Sequence, residues 1–159
     1  MPLILVVIGM IAFGGFWAYP KYQIMQLEDE ARTGLKSGGF SAFAEQARPV
    51  MQAMKMDFSV LDQYPNIRFY MRHMAYEGDQ LDERIKLDMQ AMSCESINSF
   101  KVMEPKARTA MLNVLEEDQI IFHVYLKNKL GEELMHHEQK LSQCPNFIAV
   151  RHYERASDS

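Results

Sequence analysis

The sequence predicts an all-α fold: one N-terminal transmembrane helix followed by a small irregular helical bundle of about five helices. Three observations lead there. Leu3 to Tyr19 is a run of seventeen residues without a charged or strongly polar side chain. Three later segments, 66–76, 79–97 and 105–143, place apolar residues at the 3–4 spacing of one helix face. No Asn-Gly or Asp-Gly turn stands between alternating apolar runs, so no β-hairpin signal competes.

The apolar run is taken as a membrane anchor over 1–22. At about 1.5 Å per residue it sits at the short end of what crosses a bilayer core. Trp17, Tyr19 and Tyr22 gather at its end, where amphipathic rings favour the headgroup zone, and Lys21 can snorkel there. A cleaved signal peptide is disfavoured, because no Lys or Arg precedes the run and bulky Phe16 stands at the small-residue position of a cut after Ala18. Gly14 and Ala18 form a small-xxx-small pair that would let a second membrane helix approach.

A membrane-proximal helix and glycine-containing linker are expected over 23–40, with the helix stopped at Ser37-Gly38-Gly39. A helical domain then fills 41–150. Its first helix starts at Ser41, presents Ala47, Val50, Met51 and Met54 on one face, and is kinked at Pro49. Ser59 with Asp62 resembles a capping box for a short turn ahead of Pro65. Ile67, Tyr70, Met71 and Met74 predict a helix over 66–76, and Leu81, Ile85, Met89 and Met92 another over 79–97. Glu104-Pro105 opens a third, since Pro at the first helical position loses no intrahelical bond. Its stripe runs from Met111 through Val114, Leu115, Ile121, Phe122 and Tyr125 to Leu141, and so long a helix calls for a break at Asn128 to Gly131. FIAV at 147–150 reads as a brief strand or extended segment, and 151–159 as a polar tail. MQAM occurs at Met51 and again at Met89, but the flanking residues do not agree, and no repeat is inferred.

Composition bounds the function. A length of 159 residues holds one modest domain, and 48% hydrophobic with 24% charged residues excludes wholesale disorder. The net charge of -4 gives no long-range attraction for phosphate backbones, so no nucleic-acid partner is expected. Cys94 and Cys144 are the only cysteines and are the disulfide candidate, which favours an oxidising periplasm. Lys21, Arg32 and Lys36 after the apolar run favour the cytoplasmic side instead. The expectation is a protein anchored in the inner membrane by a single pass, with a periplasmic domain.

Chemistry is thin. There is no nucleophile elbow, P-loop, dinucleotide fingerprint or C-x-x-C. Three methionine pairs stand at i, i+3: Met51 with Met54, Met71 with Met74, Met89 with Met92. Soft thioethers beside His73 suit Cu(I), but helical spacing alone explains the pairs as a core or partner surface. Glu133 and His136 make a single E-x-x-H, where di-iron bundles use two, and His73 with Glu77 could complete a site. The metal alternative thus rests on His73, Glu77, Glu133, His136, Met71 and Met74. The main expectation is a membrane-anchored helical protein without catalytic activity or cofactor, meeting a protein partner or its own copy as an accessory or assembly subunit.

Overall fold

The computed structural model describes residues 21–154, and these build a sheet as well as helices. A helix over 21–36 (α1) and α2 (Gly39–Ala53) precede a hairpin of β1 (Met56–Gln63) and β2 (Asn66–His73). The helices α3 (Glu83–Glu95) and α4 (Pro105–Glu117), joined by a 3-10 helix at Ser96–Val102, precede a second hairpin of β3 (Ile121–Lys127) and β4 (Glu133–Lys140). A 3-10 turn at Leu141–Gln143 and the short α5 (Phe147–Arg151) close the described chain. The strands lie in the order β1-β2-β3-β4, antiparallel within each hairpin and parallel between β2 and β3. A parallel pair needs a crossover, which α3 and α4 supply.

The all-α expectation is therefore corrected to a mixed helix and sheet fold. The helix expected at 66–76 is β2, and the last predicted helix ends at Glu117, after which the chain turns into β3 and β4. In β3, Phe122, Val124 and Leu126 are buried while Ile121, His123, Tyr125 and Lys127 point the other way, a period of 2. In β2, Ile67 and Met71 are four apart and would also share a helix face, which is why the short run is ambiguous. The FIAV segment is helical, within α5.

The predicted membrane anchor at 1–22 lies, apart from Lys21 and Tyr22, outside the described residues, as do Gly14, Trp17, Ala18 and Tyr19. Among the described residues no helix is long and apolar enough to cross a membrane. Lys21 and Tyr22 are both exposed at the start of α1.

Other local signals coincide with what forms. Pro105 stands in the first turn of α4, and Asp82 caps α3 by accepting from the Arg84 N–H at 2.8 Å. Gly131, with φ 87°, takes a backbone conformation that a side chain would strain, in the turn joining β3 to β4.

All helices described pack on one face of the sheet. One buried cluster gathers Ile67, Ile97, Leu112, Leu115, Phe122 and Phe147 around α4 and α5, and a second gathers Ala44, Phe58, Met71, Val124, Leu126 and Met135 beside α2. A polar clamp fastens α1 to this core. Arg32 donates to both carboxylate oxygens of Asp118 at 2.7 and 3.1 Å, and the Tyr64 hydroxyl donates to the same carboxylate. Asp118 caps the C-terminal end of α4, where a negative charge alone would meet the negative end of the helix dipole. Arg32 holds its carboxyl below the ordinary 3.8 against the opposing effect of burial. Burial, then the bond to Asp118, pushes the Tyr64 hydroxyl up to about 12.

A depressed carboxylate stabilises the fold fully above its unfolded value and loses that contribution as pH falls through the lower folded value. Arg32→Ala is accordingly expected to cost about 1.5–3 kcal/mol at pH 7. The difference between it and the parent should shrink below pH 3.8, the ordinary carboxylate value, as read by urea unfolding across pH. A difference that stays constant on acidification would contradict the clamp.

Candidate functional site

The residues proposed for metal do not converge. Met71 is buried on the helix-covered face of β2, whereas His136 stands on the opposite face of β4, stacked on Tyr125 with ring centroids 4.2 Å apart. Glu77 is ion-paired with Lys129 at 2.6 Å, Met74 is exposed, and the His73 Nδ1 accepts from the Ala75 N–H at 3.2 Å. Glu133 is exposed at the start of β4. Among the described residues no group of three His, Cys, Asp or Glu side chains is placed to hold a metal ion.

Cys94 and Cys144 are disulfide-bonded. The bond joins the last turn of α3 to the loop after β4, and the reversal at 128–132 brings the two cysteines together. Asn146 reinforces the junction by donating to the Cys94 carbonyl at 2.8 Å.

The first candidate site is the sheet face that the helices among the described residues leave uncovered. Its cross-strand rows follow from register. Ser59, Tyr70, Tyr125 and His136 form one row, Leu61, Arg68, His123 and Glu138 a second, and Asp57, Arg72, Lys127 and Glu133 a third. Tyr70 and Tyr125 stack at 5.0 Å and 14°, and Tyr125 and His136 at 4.2 Å and 7°. The three rings thus turn their faces to one another and present edges and hydroxyls outward, a ladder that supports the sheet. A flat ligand would find no free ring face between them. The rows carry charges of both signs, and Arg72 is paired with Asp57 at 3.2 Å. Asp57, Ser59, Tyr70, Arg72, Tyr125 and Lys127 border a shallow polar depression of about 220 Å³.

His123 sits within this face, its Nε2 3.1 Å from the Asn66 Oδ1 and its Nδ1 3.5 Å from the Glu138 carboxylate. No hydroxyl or thiol bonds to it among the described residues, so it has no nucleophile to activate. Burial, reinforced by Arg68 and His136, holds its pKa below the ordinary 6.5 despite Glu138. His137 points to the helix-covered face, with its Nε2 buried and without a hydrogen-bond partner among the described residues, and is also held below 6.5, by burial first and then His136.

Both imidazoles are therefore neutral in the fold while the unfolded chain binds protons near pH 6.5. Stability is expected to be full above that value and to fall as pH drops through it. Asp62, held above its ordinary 3.8 by burial, works in the opposite direction but only in the carboxylate range. Denaturant midpoints measured from pH 8 to pH 5 should decline in the parent and decline less in His137→Phe. Parallel curves would remove His137 from the account.

The second candidate is a cleft on the helix-covered side, bounded by α2, α3 and the sheet. It encloses about 170 Å³ and is lined almost wholly by apolar atoms, among them Phe58, Phe69, Phe122 and Val124. Met51, Met71 and Met89, one from each methionine pair, line it together with Met92. Helical spacing alone does not indicate that members of all three pairs, from two helices and a strand, meet around one space. Ser93 also lines it, 4% exposed, and its hydroxyl has no hydrogen-bond partner among the described residues. Such an orphan hydroxyl costs about 1–3 kcal/mol.

Comparison of the chain with protein-family models, with curated proteins and with solved structures finds no match.

Proposed function

We propose that this chain is a non-catalytic binding module that meets a protein partner through the uncovered face of its sheet. The observation that carries the reading is the central parallel pair. Parallel strands are ordinarily covered on both faces, yet among the described residues helices cover β2 and β3 on one face only. What the other face offers suits a protein surface. Tyr and Arg are enriched at such contacts, and here Tyr70, Tyr125, Arg68 and Arg72 stand in adjacent rows. Charges of both signs on this face favour a partner of mixed charge over a phosphate backbone. Four strands of this length span roughly 450 Å² of flat surface, below the roughly 800 Å² per partner of a standard interface, which fits a reversible contact. The Cys94–Cys144 bond supports an oxidising compartment such as the periplasm as the place where it acts.

A photo-crosslinking residue at Leu61 or His136, both exposed on the uncovered face, tests this against the exposed helical positions Gln52 and Asp88. A discrete protein adduct formed from the sheet positions alone, and abolished by Tyr125→Glu, is the expected result. Adducts formed equally from all four positions, or from none, would overturn the reading. An adduct of twice the chain mass would make the partner a second copy.

A further inference from the structure

We propose that the methionine-lined cleft is a binding site for a small neutral amphiphile, an apolar body about the size of one aromatic ring or a short alkyl chain carrying a single hydroxyl or carbonyl. The site is on the opposite side of the sheet from the proposed protein contact and does not depend on it.

Size sets the body. The cleft encloses about 170 Å³, and an apolar cavity of about 150 Å³ is large enough to admit benzene. Met92 of its lining is 53% exposed, so the cleft reaches the surface and a ligand has a path in. Lining chemistry sets the class. No charged side chain faces the space, so a carboxylate or ammonium group would be buried without a partner. Of the two hydroxyls in the lining, that of Ser96 donates to the Ser93 carbonyl, whereas that of Ser93 is enclosed and unpaired among the described residues and gains a hydrogen bond when a ligand hydroxyl or carbonyl arrives. Met51, Met71, Met89 and Met92 supply walls that adapt, because an unbranched thioether with three rotatable bonds reshapes to its contents at low cost. A rigid wall of branched side chains would not open to let the ligand reach Ser93.

The test uses the full chain with its methionine methyl groups labelled with carbon-13, titrated by NMR with benzyl alcohol, toluene and benzoate. Benzyl alcohol is expected to shift the methyl signals of Met51, Met71, Met89 and Met92 saturably while those of the exposed Met25, Met54 and Met74 stay in place. Toluene should bind more weakly, and benzoate at least tenfold more weakly. Ser93→Ala should lower the benzyl alcohol affinity about five- to tenfold, to that of toluene, and leave toluene unaffected. Unmoved signals from the remaining methionines report that the variant is folded. Shifts spread over the exposed methionines, benzoate binding as tightly as benzyl alcohol, or an unaltered benzyl alcohol affinity in Ser93→Ala would each overturn the proposal. Response of the four methyl groups to Cu(I) but not to benzyl alcohol would overturn it in favour of a soft metal ion.

Discussion

Phe122→Ala is expected to lower the unfolding free energy by about 3–5 kcal/mol, the cost of emptying a buried aromatic site. Phe122 is 6% exposed and belongs to the larger buried cluster while also lining the methionine cleft. Its ring meets Phe40 of α2 edge-on at 5.3 Å and Phe69 of β2 at 4.9 Å, so one side chain ties a helix to two parallel strands. Such edge-to-face pairs add about 0.5–1.5 kcal/mol beyond area burial. Tyr125→Ala on the same strand serves as the control, because it removes part of the uncovered face and is expected to cost well under half as much. A helix over this segment would have put both residues on one buried stripe. Equal losses in guanidinium unfolding would therefore refute the strand and its register, and unequal losses in the stated order would support them.

Reducing the Cys94–Cys144 bond is expected to cost roughly 2–4 kcal/mol, because it releases a loop closed over a sequence separation of 50 in the unfolded chain. The loss should appear as a lower denaturant midpoint in the presence of reductant, and Cys94→Ala with Cys144→Ala should reproduce it without reductant. The bond also holds the end of α3 against the chain that leaves β4. Amide exchange should consequently quicken in α3 before it quickens in β2 and β3. If exchange rises uniformly, the bond acts on the unfolded chain alone and does not restrain α3 locally. Because Met89, Met92 and Ser93 all belong to α3, loosening it should also weaken binding in the cleft.

Much of the local punctuation was legible. Pro105 marked the start of α4 and the Leu81, Ile85 and Met89 stripe lay over the segment that becomes α3, because these signals act within one or two turns of backbone. The turn at Asn128 to Gly131 was read as a break, though between helices, while it in fact joins two strands. The strands themselves were misread. Phe122, Val124 and Leu126 do alternate with His123, Tyr125 and Lys127, and the aromatic and β-branched content of that run was the available sign of a strand. A heavier apolar stripe carried over from α4 outweighed it. In β4 there was less to read, since only Met135 is a buried apolar residue among ELMHHEQK.

By itself, then, the sequence determined where α3 lies, where α4 begins, that the chain breaks at 128–131, and that two cysteines were present to pair. Those features depend on proline, glycine and short-range periodicity, and they need no distant partner. Tertiary structure decided that 66–73 and 121–127 are strands, since each is stabilised by hydrogen bonds to the other across the whole α3 to α4 crossover. Only the folded molecule could gather Met51, Met71, Met89 and Met92 around one space, or leave Tyr70 and Tyr125 on an open face. A run of seven or eight residues carries too few apolar positions to separate a period of 2 from one of 3.6, and long-range pairing settles which is adopted.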